Sequence, residues 1–218
     1  IEMTYNSNHI EGSKLTHDET RYIYETKTIG IEDKSKLFMV DDIIETINHF
    51  KCVDRVIDFA NYPLSISFIK ELHKILQAGT SDSNKSYIKI GEYKKLDNQV
   101  GDIDTTPVNL VSEEMDKLVN EYNKKQLHTF EEILGFHVKF ETIHPFQDGN
   151  GRVGRLIAFK ECLKNNIVPF IITDDLKLFY YRGLSKWNEE KGWLLDTCLS
   201  GQDLVKKYLD YFKIRYKL

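Results

Sequence analysis

Apolar residues recur at helical spacing along most of this chain, and one stretch, residues 80 to 110, breaks the rhythm. Such a chain is constrained to stack helices around a shared core, because an amphipathic helix can bury its stripe only against another element. Thr16-His17-Asp18-Glu19 spells a capping box, in which hydroxyl and carboxylate satisfy each other's free backbone amides, and it opens one helix. Leu37, Val40, Ile44 and Ile47 follow at helical spacing. Ser65 precedes Ile69, Leu72 and Ile75 on one face, and Gly79 stands where a left-handed cap belongs. Ser112 opens a helix through Met115, Leu118 and Tyr122, and more helices are predicted near 129–142, 150–165, 174–189 and 202–214. Inside the break, Tyr93 to Lys95 and then Val100 predict a hairpin turning at Leu96 to Gln99. No repeat, low-complexity tract or linker divides the chain, so the expectation is one domain over residues 1–218, mainly α with a single β-hairpin.

Charge and composition exclude several functions. Thirty Lys+Arg against thirty-four Asp+Glu give a net charge of −4, so no global positive field recommends a nucleic acid. The positives at Lys206-Lys207 and from Lys213 to Lys217 read as a solvated face. Apolar runs fall well short of the roughly 20 residues a membrane helix needs, and neither a span nor a signal peptide is visible. Cys52, Cys162 and Cys198 are odd in number and lack metal-type spacing, which predicts buried, reduced thiols and a cytoplasmic protein.

Residues Thr142 to Arg155, TIHPFQDGNGRVGR, concentrate the chemistry. Gly149, Gly151 and Gly154 spell a G-x-G-x-x-G turn, with Asp174 placed like a ribose-binding acid. A dinucleotide turn follows its strand directly, however, and here His144 to Asp148 intervene, in a chain without alternating strands and helices. A metal pair of His137 and His144 lacks a third ligand at suitable spacing. Glycines at a helix start instead expose backbone amides to an anion, where the helix dipole adds positive charge. Arg152 and Arg155, three apart, suit a polyphosphate, Asp148 is a hard oxygen ligand for Mg²⁺, and His144 can take a proton near neutral pH. This set describes phosphoryl or nucleotidyl transfer.

His144-Pro145-Phe146-Gln147-Asp148-Gly149-Asn150-Gly151-Arg152-Val153-Gly154-Arg155 resembles the Fic motif, H-P-F-x-[DE]-G-N-G-R-x-x-R, at every defining position. The resemblance implies a Fic-type helical bundle with a small β-hairpin flap that moves AMP from ATP to a hydroxyl of a target protein or of itself. It makes His144 the base, Asp148 the Mg²⁺ ligand, and residues 144–155 the Fic loop. Gly149, Asn150 and Gly151 become the anion hole, Arg152 and Arg155 clamp the β- and γ-phosphates, and Val153 and Gly154 fall within the nucleotide-binding run. Phe146 is implied to anchor the loop from below.

Residues 86–103, with Gly91, Tyr93, Lys94 and Val100, resemble the family's flap, which aligns a target segment by strand addition. The family often has arginine where Lys94 stands, and the return Gln99-Val100-Gly101-Asp102 is less apolar than usual. Tyr180 and Asn188 match by spacing the family's nucleotide-base contacts, with Tyr181 the alternative if the register slips. Within residues 1–15, Ser7-Asn8-His9-Ile10-Glu11-Gly12 resembles the inhibitory motif [ST]-x-x-x-E-[GN], which implies a helix whose Glu11 occupies Arg155. The implied enzyme is a nucleotidyltransferase restrained by Glu11, with ATP and a protein as partners, no nucleic acid, no membrane, and a homo-oligomer left open. The alternatives are removal of AMP, another nucleotidyl or phosphoryl transfer, and a non-catalytic nucleotide-binding regulator.

Overall fold

The computed structural model describes residues 1–30, 37–101 and 103–216. Nine α-helices run through the described residues: α1 (Glu2–Ile10), α2 (His17–Thr26), α3 (Val40–Asp58), α4 (Ile66–Gln77), α5 (Val108–Tyr122), α6 (Phe130–Ile143), α7 (Asn150–Lys164), α8 (Lys177–Ser185) and α9 (Gly192–Tyr211). Two short antiparallel strands, β1 (Gln99–Val100) and β2 (Ile103–Asp104), pair Gln99 with Asp104 and Val100 with Ile103. The mainly helical class expected from periodicity is therefore the class observed. No helix among the described residues is long and apolar enough to cross a membrane.

Two apolar clusters sandwich α6 and α7. One joins α3, α4 and α5 to them through residues such as Val56, Leu72, Met115, Phe140 and Leu156. The other covers their opposite side with Phe170, Tyr180, Leu194 and Cys198, and receives Ile10 from α1. Walled on both sides, α7 has no amphipathic stripe: Val153, Leu156, Ile157, Ala158 and Cys162 are all buried. The short connection from α6 to α7 is thus held at both ends by elements that cannot shift without opening the core. All three cysteines are unpaired and buried, and burial pushes the Cys52 thiol up to about 12.

Local signals set several boundaries. The Thr16/Glu19 capping box starts α2 (Thr16 Oγ1 accepts from the Glu19 amide at 3.2 Å), and a second box, Thr129/Glu132, starts α6. Ser65 Oγ caps α4, and Gly79 takes φ +79° one residue beyond Ala78, the C-cap of α4.

Four expectations need correction. Tyr93 to Lys95 form no strand, because the Lys94 amide donates to the Pro145 carbonyl (2.8 Å) and the Leu96 amide to Gln147 Oε1 (3.2 Å). This segment is spent on the α6–α7 connection, so the hairpin forms later, at 99–104; Asp102 lies outside the described residues. Helix α5 starts at Val108, four residues before Ser112, because Asp97 Oδ1 accepts the Val108 amide at 2.8 Å. Helix α9 starts at Gly192 and not near 202, since Leu194 and Cys198 already bury a face and the Gly201 carbonyl accepts the Ile171 amide at 3.1 Å. Leu37 precedes α3 and is exposed, as is Val40 at its first position, and the buried face carries Thr46, Asn48, His49, Phe50, Cys52 and Val56 instead. Its polar residues answer to neighbouring helices: His49 meets Thr4 and Thr46 meets Asn8 on α1, while Asn48 donates to the Leu76 and Ala78 carbonyls at the end of α4.

Candidate active site

The site grows from the end of α6. His144 caps that helix in the left-handed region (φ 51°, ψ 62°), its amide donating to the Phe140 carbonyl at 2.9 Å. The left-handed turn and Pro145 stop the helix and send the chain across to α7. Phe146 is fully buried and stacks on His73 of α4 with centroids 3.9 Å apart. The Asn150 side chain clasps the same residue twice: Oδ1 accepts the Phe146 amide and Nδ2 donates to the Phe146 carbonyl, both at 2.8 Å. With Gly149 at φ +78°, α7 then begins at Asn150. Its first amides have no intrahelical acceptor and face the N-terminal end, where an anion is favoured.

The surroundings of His144 suit a proton acceptor. Its Nδ1 lies 3.3 Å from the Glu141 carbonyl, which only accepts, so Nδ1 carries the proton and Nε2 keeps its lone pair. Burial lowers its pKa, which keeps the ring neutral near pH 7. Asp148 is nearly half exposed; its Oδ2 accepts from Gln77 Nε2 (2.7 Å) and from Arg152 Nη2 (3.1 Å). Among the described residues no group of three or more potential ligands gathers to hold a metal. A single accessible carboxylate beside a phosphate cradle still suits a divalent ion that takes its other oxygens from the phosphates themselves.

Both motif arginines are buried and already paired. Arg152 places Nη1 2.5 Å from Glu45 Oε2 of α3, with Asp148 on Nη2. Burial raises the pKa of Glu45 and the Arg152 charge opposes that shift. Arg155 donates from Nη2 to Glu11 Oε1 (2.7 Å) and to the Ser7 carbonyl (2.9 Å), and from Nε to Ser7 Oγ (3.0 Å). Burial works most strongly against its charge, yet Glu11, Tyr180 and Glu141 together outweigh burial and hold its pKa above the usual value. The Glu11 carboxylate lies over Gly151, where any Cβ would collide with it. Ser7 and Glu11 are thus brought onto Arg155, 148 and 144 residues away in sequence.

Other expected contacts sit elsewhere. Val153 is fully buried in the core and its amide donates to the Gly149 carbonyl, so neither is available to a nucleotide. Gly154 admits Glu141 and His137 of α6 against α7 and is a packing position. Tyr180 is buried, with its hydroxyl 2.6 Å from His137 Nε2, whereas Tyr181 is exposed and lines a cavity of about 600 Å³ with Val100, Thr105, Glu141 and Thr142. The accessible tyrosine is the neighbour. Asn188 is exposed in the turn after α8, outside that cavity. Tyr93 packs toward Phe146, and Lys94 is buried, donating to Asn98 Oδ1 (2.7 Å) and Thr105 Oγ1 (2.6 Å), so both brace the loop from beneath. Of the expected flap, Val100 and Gly101 line the cavity.

Sequence reasoning missed Gln77, Glu45 and Glu141. Gln77 follows His73 by one helical turn on the face of α4 that meets the loop. Glu141 precedes His144 by one turn and lies half-buried near His137, with its pKa pushed up to about 8 by burial and by the Glu11 charge, against the pull of Arg155.

A family model described as the Fic/DOC family matches residues 63–161. A protein named protein adenylyltransferase Fic from Nematostella vectensis is 28% identical over 191 residues, which are 84% of this chain and 42% of that protein. Its namesake from Drosophila sechellia is 30% identical over 196 residues, 85% of this chain and 37% of the other. The chain therefore spans about two fifths of the length of these curated relatives. A crystal structure of a Fic domain containing signaling protein from Bacteroides thetaiotaomicron superposes with a TM-score of 0.76 at 25% identity, over 93% of this chain and 81% of that one.

Proposed function

Through residues 63–161 the chain belongs to the Fic/DOC family, and on that footing we propose that it is a protein adenylyltransferase moving AMP from ATP to a hydroxyl of a target protein or of itself. The reading rests on one juxtaposition: a neutral imidazole with Nε2 free, one short loop from a helix N-terminus flanked by two buried arginines. The target hydroxyl oxygen bonds to the α-phosphorus, its proton passes to His144 Nε2, and the bond to the α,β-bridging oxygen breaks. Pyrophosphate leaves with that electron pair. Arg152 and Arg155 would take the charge of the phosphate tail, and the free amides of α7 would hold phosphate oxygens in place. Asp148 would hold Mg²⁺, which neutralises phosphate charge when bound. The β1–β2 hairpin at the cavity edge would offer its backbone to the target segment.

Glu11 is the proposed restraint. Its carboxylate on Arg155 and over Gly151 occupies the clamp and repels the phosphates that belong there. The same carboxylate favours a second reading, in which it orients a water that removes AMP from a modified protein. The three unpaired thiols support a reducing, cytoplasmic setting.

Incubation of the Glu11→Gly chain and a protein extract with α-labelled and, separately, γ-labelled ATP tests this. Label should be retained on protein only from the α position. Retention only from the γ position sinks AMP transfer, and loss of label from pre-modified protein, faster with Glu11 present, supports the second reading.

A further inference from the structure

Arg152 is held differently from Arg155. Its guanidinium sits between two carboxylates, Glu45 on Nη1 at 2.5 Å and Asp148 on Nη2 at 3.1 Å. The two partners are not equivalent. Asp148 lies on the loop, its side chain 45% exposed, whereas Glu45 projects from the second turn of the 19-residue helix α3 and its side chain is 21% exposed. Arg152 itself is only 4% exposed. With Asp148 committed to a divalent ion, the Nη2 edge of Arg152 would be left for the phosphates. The Nη1 edge stays with Glu45.

We propose that Glu45 is a positioning residue, the fixed anchor that holds Arg152 with one edge turned to the β-phosphate while Asp148 exchanges its contact for the metal. The inference rests on the adenylyltransferase reading for the identity of the phosphate chain. A guanidinium anchored on one edge presents the other at a set angle, so less freedom is lost when the phosphate arrives. Because Glu45 acts through Arg152, its influence reaches only ligands that carry the phosphate Arg152 grips.

Binding of ADP and of AMP to the Glu11→Gly chain in Mg²⁺, measured by calorimetry, tests the anchor. Glu45→Ala should weaken ADP about tenfold, the worth of one charge-assisted contact, and leave AMP unchanged. Glu45→Gln, which keeps an acceptor for Nη1, should recover part of that loss. In an Arg152→Ala background the Glu45 substitution should have no further effect. Equal weakening of ADP and AMP, with a lower melting temperature, makes Glu45 merely structural and overturns the proposal. Unchanged or tighter ADP binding overturns it too, the second outcome making Glu45 a restraint. Label transfer from α-labelled ATP is read in parallel. No transfer with the ADP–AMP difference intact refutes the enzymatic reading alone, transfer without that difference refutes the anchor alone, and no ADP binding by the parent refutes both.

Discussion

Helices α1 and α7 meet at Arg155 and are held in the molecule by different forces. Helix α7 buries Val153, Leu156, Ile157, Ala158 and Cys162 between two apolar clusters, and moving it would expose both. Helix α1 buries Met3 and Ile10, but the rest of its inner face is Thr4, Asn6, Ser7 and Asn8. Thr4 pairs with His49 (3.0 Å), Asn8 with Thr46 (3.3 Å) and Ser7 with Arg155. Water can replace hydrogen bonds of this kind at a net cost of roughly 0.5–1.5 kcal/mol each, whereas exposed apolar surface has no substitute partner. The floor of the site is fixed by apolar burial, and the helix over it is held largely by exchangeable polar contacts.

Four experiments would break or sharpen that contrast, beginning with the largest effect. On the fixed side, His144→Ala should lower AMP transfer by about 10²–10⁴ while calorimetry shows nucleotide binding retained; transfer at the parent rate would remove the base. Phe146→Ala, which empties the space against His73, should destabilise the whole fold by about 3–5 kcal/mol in urea, a loss no single polar contact of α1 should match. On the removable side, Glu11→Gly should raise transfer about tenfold, the equivalent of one charge-assisted contact, and speed hydrogen exchange in α1 without changing it in α7. Equal exchange in both helices would erase the distinction.

Acid gives the smallest and most graded effect. His49, on α3 under α1, has its pKa pushed down to about 3 by burial, with Arg155 and Arg152 adding to the shift. Its folded pKa lies below its unfolded value near 6.5, so the unfolded chain binds the extra proton. This stability is complete above pH 6.5 and drains away as pH falls toward 3, at up to about 1.4 kcal/mol per pH unit. Thr4→Val should leave that slope in place, because burial and not the hydroxyl sets it; a flattened slope would show otherwise. Transfer should also persist as pH falls through 6.5, since His144 is held below its ordinary value.

What could be read in advance divides along physical lines. The capping box at Thr16 and the loop from His144 to Arg155 are local, so their residue order carries their geometry. The hairpin was displaced because Lys94 and Leu96 answer to Pro145 and Gln147, and no local pattern announces partners that far along the chain. Val153 and Gly154 look like ligand contacts when the motif is read as a string; in a helix their angles around the axis turn them into the core. Glu45 was invisible for the same reason that it is informative, since one glutamate among many acquires meaning only where α3 crosses α7. The approach of Glu11 to Arg155 is what the family resemblance implies, whereas the bonds from Arg155 to Ser7 emerge only where α1 docks on α7.

The attachment of α1 can also be seen as competition between a tethered ligand and a free one. Glu11 and Ser7 occupy Arg155 from within the same chain, so their local concentration is set by the tether, on the order of millimolar for short flexible links, and never diluted. Under the proposed restraint, a free nucleotide would bind only the fraction of molecules whose tethered ligand has let go, and its apparent affinity would fall by that fraction. The docked helix would then set a threshold on nucleotide concentration, and each contact along α1 would adjust where that threshold lies.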